Sequence, residues 1–474
     1  MAKNLIYDIA DKPPMGKRLM FALQQFLAIL AATIAVPTII GLPTQIPAAI
    51  FGAGVGTLIY QLFTKFQSPV FLGSSFAFLG PLGIAVTYGY CGIVIGSIVA
   101  GLVYVALAVV VHFVGTAWVS KLMPPVIIGP TVTLIGLSLA GNAMGNLVTA
   151  DKALTYGSYN LVALLCGLVG FLVIIICSIQ KKYTMPKLIP FVIGILVGYG
   201  VATIFTIIGV LGDVDYLKII NWDPIVNNFV DANGDFVGFV AFFTVPKFAG
   251  VEAIRELATG EVSAEILGAT GGAATVISAS GVAEVIFSFL PVALVVFAEH
   301  IADHKNLSSI IERDLIENPG LKRTLLGDGV GSITGTFFGV CPNTTYGESV
   351  GCVAVTKNAS VVTITTTAFM CIVLSFFSPL TTTLQTIPSC VMGGVCLALY
   401  GFIAVSGLKM LKNVDLSQNR NIFVIAAILI SGVGGLKIQI TDSIEITTIA
   451  TALLLGIATN TVLSFIEKRQ NKGN

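Results

Sequence analysis

Three groups of residues carry whatever chemistry this sequence can perform. Glu348 stands in Pro342-Asn343-Thr344-Thr345-Tyr346-Gly347-Glu348-Ser349-Val350-Gly351, a polar stretch between two apolar segments of membrane length. A carboxylate at membrane depth costs about 2.5–3.5 kcal/mol even on lenient insertion scales. Polar, Gly-broken backbone at that depth is tolerated only inside a protein or along a cavity. Together these point to a ligand site. Gly347 permits close backbone approach, and a helix starting near Glu348 would aim its N–H groups at a ligand. The Glu348 carboxylate could accept two N–H bonds from a ligand or cap that helix, and the two roles are compatible.

The second group is Ala298-Glu299-His300-Ile301-Ala302-Asp303-His304. Residues four apart share a helix face, so Glu299 lies under Asp303 and His300 under His304. Two carboxylates on one partly desolvated face cannot both ionise without mutual cost, which suits Glu299, Asp303 and His304 to proton loading. The competing reading is that this group marks the end of the span, where charges also gather. A metal reading of the His pair fails for want of further ligands, since His112 is the only other histidine and no cysteine cluster accompanies the pair. The third group, Gly73-Ser74-Ser75-Phe76-Ala77-Phe78, suits an extended crossing with free backbone groups; Phe76 or Phe78 offers a flat stacking surface.

The elements that position these groups must lie in a membrane. Of 474 residues, 55% are hydrophobic and 10% charged, where a soluble chain carries about 25% charge. A net charge of +1 excludes a generally basic surface for nucleic acid. The eight scattered cysteines form no CxxC pair and read as small buried hydrophobes. Spans of about 20 apolar residues fall near 18–38, 47–64, 90–114, 124–145, 157–179, 188–211, 284–305, 324–340, 359–379, 386–405, 421–436 and 444–466. Segments 70–87 and 342–356 are too polar or Gly-rich for ordinary helices; with them the expectation is fourteen crossings. With the N-terminus inside, inner loops and tails hold 20 of the 25 Lys and Arg, leaving Lys152, Lys218, Lys247, Arg255 and Lys437 outside. That split matches the positive-inside rule and makes both termini cytoplasmic. The longest break, 212–283, reads as an elaborated outer loop, with Val251–Leu267 able to form one short amphipathic helix.

The two halves resemble each other in order. Gly73-Ser74-Ser75-Phe76 matches Asn343-Thr344-Thr345-Tyr346 at an offset of 270 residues, and Pro124-x4-Gly129 matches Pro388-x4-Gly393 at 264. Each unit holds seven crossings, an odd number, so the second copy is inverted, and a site is expected near the midplane between paired broken segments. Chance similarity among small residues is the alternative.

Glu348-Ser349-Val350-Gly351-Cys352-Val353-Ala354-Val355-Thr356-Lys357 resembles the signature of the nucleobase–ascorbate transporters, and Asn-Thr-Thr-Tyr-Gly-Glu with Ala-Glu-His at 298–300 resembles their uracil permease branch. The resemblance covers nearly all of the chain except about 212–283. It implies an all-α polytopic fold of 14 transmembrane segments in two inverted repeats, with short antiparallel strands in segments 3 and 10. It implies a core unit (1–115 and 284–383) and a gate unit (116–211 and 384–474). Carried over, Glu299 and Glu348 would hold a base by its ring N–H groups. Phe76 would stack or offer backbone contact, and Tyr346 and Gly347, with Ser75 opposite, would line the site. Two positions depart from the pattern: Ser349 stands where Asn is usual, and Asp303, followed by His304, stands where the best-known uracil carrier of this type has His.

The expectation is a proton-coupled symporter importing uracil or a close pyrimidine relative through the cell membrane, with no cofactor, and a homodimer through the gate unit as one possible assembly. A purine carrier on the same scaffold, an anion carrier of the same seven-plus-seven plan and an intramembrane hydrolase are the alternatives. No nucleophile elbow, phosphate loop or His–Glu–x–x–His helix supports the last.

Overall fold

The computed structural model describes residues 5–149, 159–182, 184–231, 233–440 and 445–470. Lys152, one of the cations counted outside, lies beyond the described residues. The chain is built from helices: α1 (Met15–Ile39), α2 (Ile46–Phe63), α3 (Leu79–Val86), α4 (Gly89–Val114), α5 (Pro125–Ser138), α6 (Leu161–Ile179), α7 (Pro190–Leu211), α8 (Ala249–Thr259), α9 (Ala279–Ile311), α10 (Leu321–Phe338), α11 (Gly347–Thr356), α12 (Val361–Leu374), α13 (Ser389–Met410), α14 (Asn419–Val433) and α15 (Thr448–Gln470). Among the described residues nine helices are long and apolar enough to cross a membrane, and Phe76–Val86, Val361–Leu374 and Asn419–Val433 are shorter apolar helices.

Local chemistry sets several boundaries. Pro14 precedes α1, and Pro125 and Pro190 occupy first positions of α5 and α7, where a missing N–H costs nothing. Asn160 caps α6, its side-chain oxygen accepting from Val162 N and Ala163 N at 2.9 and 3.0 Å. Ser278 caps α9 through a 3.1 Å bond from Gly281 N. From there α9 runs 33 residues, roughly 50 Å at 1.5 Å per residue. It takes in both Glu284 and the Glu299–Asp303 face.

The helices pack in two groups. In one, α10 lies against α2 and α4, α9 against α4, and α12 against α1 and α2. In the other, α13 packs on α5 and α6, α6 on α7, and α14 on α15 and α5. The contact of α2 with α10 is close because both are Gly-rich there. A Cβ on Gly52 would come within 2.1 Å of Gly335 O. The side chain of Asn343 nests in that crease, donating from Nδ2 to Gly52 O at 3.0 Å.

The two segments unsuited to ordinary helices are strands followed by short helices. β1 (Leu72–Ser74) pairs antiparallel with β2 (Asn343–Thr345) in the register Leu72↔Thr345, Gly73↔Thr344, Ser74↔Asn343. Ser75 N→Pro342 O (2.9 Å) and Tyr346 N→Phe71 O (3.2 Å) extend the ladder at its two ends. All six strand residues are buried, so this pairing satisfies backbone groups that neither water nor lipid reaches. A second small pair, β3 (Ile438–Gln439) with β4 (Glu445–Ile446), follows α14 and is not foreseen in the sequence.

Residues 212–283 depart from the loop the sequence suggests. Glu256 is 2% exposed and accepts from Ser263 N and Oγ at 3.1 and 2.8 Å, and Cys91 Sγ donates to Ala253 O at 3.1 Å. The connection is thus docked on the end of α4. The single helix expected over Val251–Leu267 is two, α8 and a short helix Ala264–Ala269. Gly260 divides them: at φ 70 it adopts the left-handed turn that ends α8, returning its N–H to Glu256 O at 2.9 Å. All eight cysteines are free and buried.

Candidate functional site

The strand pair fixes the site from below. Gly73 is required because a Cβ there would lie 2.3 Å from the Tyr346 ring. That ring crosses the pair, and its hydroxyl donates to Ser74 O at 3.1 Å. Beyond each strand the chain turns into a helix. A 3-10 turn at Phe76–Phe78 leads into α3, and Gly347 opens α11. The first N–H groups of a helix have no partner within it, so each start presents donors and a partial positive charge.

Helix α9 supplies the facing wall. Glu299 and Asp303 stand one turn apart, and with Ser75, Phe76, Tyr346, Gly347 and Glu348 they line one cavity of about 410 Å³. The seven residues come from three separate stretches of sequence. Glu299 and Glu348 are half-buried and Asp303 is buried. Thr345 Oγ1 donates to Asp303 Oδ2 at 2.7 Å, tying the α9 carboxylate to the strand. Ser349 accepts a 2.6 Å bond from Gln25 Nε2, which fastens the first turn of α11 to α1. Phe76 meets the ring of Tyr400 edge-on at 5.3 Å. Phe78 turns away and stacks on Phe289 at 5.4 Å, so of the two aromatic candidates only Phe76 faces the cavity.

His304 does not line the cavity. Its Nδ1–H donates to His300 O at 2.7 Å, so in the neutral ring Nε2 accepts from the Tyr60 hydroxyl at 2.8 Å. The two imidazoles lie with centroids 4.0 Å apart. Behind them, His300 Nδ1 is 2.6 Å from Asp328 Oδ2 and its Nε2 is 3.1 Å from Thr324 Oγ1. The pair is fully enclosed, with Asp328 1% exposed. Asp328 is the residue the sequence reading passes over. Its signal is the one that singles out Glu348, a carboxylate within a membrane-length segment. Lys187 and Lys409 also line the cavity, each exposed, at the ends of helices that sequence alone does not bring together.

A cavity of this size, with two half-buried carboxylates, an aromatic face and two helix starts, can hold a small planar molecule rich in N–H donors.

Comparison with known proteins agrees with a carrier. The sequence pattern described as "Permease family" matches residues 16–255 and 277–441. The chain is 35% identical to a uracil permease of Bacillus caldolyticus over 461 residues, 97% of this chain and 94% of that one. It is 32% identical to a uracil permease of Bacillus subtilis (99% of this chain, 97% of the relative). With a uracil permease of Escherichia coli K12 the identity is 31% (97% and 94%). Among solved structures it is similar to murine Solute Carrier 26 family member A9, an anion transporter in the inward-facing state. The TM-score is 0.63 at 12% identity, over 96% of this chain and 69% of that one. It is also similar to the transmembrane domain of the cyanobacterial bicarbonate transporter BicA, with TM-score 0.53 at 13% identity, over 96% and 100%. At such identities the likeness concerns the fold alone. The protein is a multi-pass membrane protein whose relatives are permeases, not enzymes, and the chain belongs to the xanthine/uracil permease, or nucleobase–ascorbate transporter, family.

Proposed function

We propose that this protein imports uracil, or a closely related pyrimidine base, across the cell membrane together with protons, by alternating access. The observation that carries the reading is the single cavity in which Glu299, Glu348 and Phe76 meet. Uracil is flat and neutral, with two ring N–H donors and two carbonyls. Carboxylates from α9 and α11 complement its N–H groups, N–H groups of the helix starts complement its carbonyls, and Phe76 complements its face. Uracil permeases are also what the full-length relatives are named. An inorganic anion would face Glu299, Asp303 and Glu348 at once, which disfavours the anion cargo of the fold neighbours.

A neutral base gains nothing from the membrane potential, but one accompanying proton supplies about 2.3 kcal/mol per 100 mV. At about 1.4 kcal/mol per decade that sustains roughly fifty-fold accumulation, so one proton suffices. In this reading Glu299 and Asp303 exchange the proton, and His304 takes part only through the hydrogen-bonded layer behind the cavity.

The reading includes fourteen crossings as two inverted repeats of seven. The strand register supports it: at an offset of 270, Gly73↔Thr344 and Ser74↔Asn343 exchange when the halves are swapped. The two helix groups correspond to core and gate units, with a homodimer formed through the gate. Both termini would be cytoplasmic, and Lys187 and Lys409 would then mark the cavity mouth as open inward.

The test is uptake of labelled uracil by proteoliposomes under an imposed proton gradient, with unlabelled uracil, xanthine and bicarbonate as competitors. The expected result is gradient-driven uptake of chemically intact uracil, blocked by uracil only. Uptake indifferent to the gradient removes the coupling, and stronger competition by xanthine reassigns the substrate to the purines.

A further inference from the structure

The 212–283 connection carries an apolar surface that neither transport nor the helix packing uses. In α8 an apolar stripe points outward while one carboxylate is buried. Glu256 points inward and is 2% exposed, whereas Val251, Ile254 and Leu257, one stripe of the same helix, point outward, with Ile254 60% exposed. A helix between protein and water presents the opposite faces. Just before it, Phe236 to Pro246 contain no charged residue. They form a 3-10 turn at Phe239–Phe242. Phe242 is ringed by Phe229, Phe236 and Phe239 at 5.4, 6.4 and 6.1 Å. At the tip Phe239 and Val240 are 85% and 79% exposed, and Phe243 and Val245 are exposed beside them.

What covers this surface follows from what it continues. Phe243 bridges to Phe377, and Thr244 N donates to Phe376 O at 3.0 Å. This places the tip at the end of α12, whose Phe369 and Val373, one turn apart, are exposed on one helix face. On a multi-pass membrane protein such a stripe faces acyl chains. α8 in turn lies across the ends of α4 and α10, with Ala249 N donating to Gly339 O at 3.3 Å and Gly250 pressed on the Phe337 ring. Lys247 and Arg255 border the apolar surface; both are more than half exposed on long stems, and they are paired with Glu265 and Glu252. Aromatic and aliphatic residues on one side, bordered by cations, are the pattern of an element lying in the membrane interface.

We infer that residues 236–257 are immersed in the lipid leaflet on the side of the 212–283 connection, and that they anchor this connection in acyl chains instead of holding it in water. The proposal rests on membrane insertion and not on the transported substrate, so it stands or falls separately from the uracil reading.

The full chain in nanodiscs, with Phe239→Cys or Ile254→Cys labelled by a small uncharged environment-sensitive fluorophore, tests it. The eight native cysteines are buried, which keeps the labelling specific. Val373→Cys serves as the lipid-facing control and Asp235→Cys, in the neighbouring polar turn, as the aqueous one. Probes at 239 and 254 are expected to follow 373, with quenching by shallow nitroxide-labelled lipids about threefold above that at 235 and iodide quenching about threefold below it. Probes that follow 235 overturn the proposal by placing the segment in water. Probes reached by neither quencher overturn it too, by showing a protein partner or second copy on the surface. If Ile254→Cys does not fold, Val251→Cys on the same stripe gives the same readout.

Discussion

The two strand-and-helix segments, 70–87 and 342–356, share one scaffold and put it to different uses. Each contributes three buried strand residues to one ladder and then starts a helix at the cavity. The first contains no charged residue and the second contains one, Glu348. Aligned by the proposed repeat, Glu348 corresponds to Phe78, and the two side chains go opposite ways. Phe78 packs on Phe289 in the interior, while Glu348 enters the cavity with Glu299. At the preceding pair, Phe76 lines the cavity beside Tyr400, whereas Tyr346 is held across the strands by its hydroxyl. One segment thus supplies an apolar surface and the other a charge. A planar molecule with an apolar face and a polar edge needs both.

That contrast can be broken at its two corresponding positions first. Phe78→Ala is expected to cost about 3–5 kcal/mol of stability, because it empties a fully packed site. Thermal unfolding should show this, and base affinity in the surviving protein should be nearly unchanged. A large loss of affinity would place Phe78 in the site instead of behind it. Glu348→Gln and Glu299→Gln should each abolish uptake while leaving the protein in the membrane. Loss of one charge-assisted bond at about 1.5–3 kcal/mol corresponds to roughly 10- to 100-fold weaker binding. Normal proton-driven uptake by both variants would refute the site assignment.

Smaller effects sharpen the comparison. Gly73→Ala forces a methyl into the Tyr346 ring and should destabilise by about 1–3 kcal/mol. If the melting temperature does not move, the close crossing of the strands is not what holds the second helix start in place. Phe76→Ala removes the stacking face, worth about 1 kcal/mol, so titration calorimetry on the folded variant should find base binding roughly fivefold weaker, beside a loss of stability from the emptied site. Asp303→Asn should leave binding in place and flatten the pH dependence of uptake. An unaltered pH profile would take Asp303 out of coupling.

Much of the site was legible because membrane burial makes polar residues conspicuous. Glu348 and the Glu299–Asp303 spacing stand out in apolar sequence, and both prove to line one cavity. Asp328 carried the same signal but lies in a Gly-rich span, and its partner His300 is 28 residues away in sequence. Spacing within one helix cannot reveal a pair that forms only when α9 and α10 pack. His304 shows the converse. It shares a face with His300, yet it bonds to Tyr60 and faces away from the cavity. In α8 periodicity alone identified an amphipathic helix, but Glu256 lies on its inward face with Ala249, Gly250 and Ala253, where Ser263 supplies it with donors.

The sequence by itself determined the membrane-spanning helices, the two broken segments and the identity of the acidic residues. Each follows from local hydropathy and the cost of charge in lipid. Only tertiary structure decided which of those residues meet. The β1–β2 ladder joins positions about 270 apart in sequence, and the long helix α9 then closes the cavity over them. Hydropathy acts on each segment separately, but a cavity exists only between segments, where backbone pairing and the close approach of Gly73 to Tyr346 set distances that no periodicity encodes.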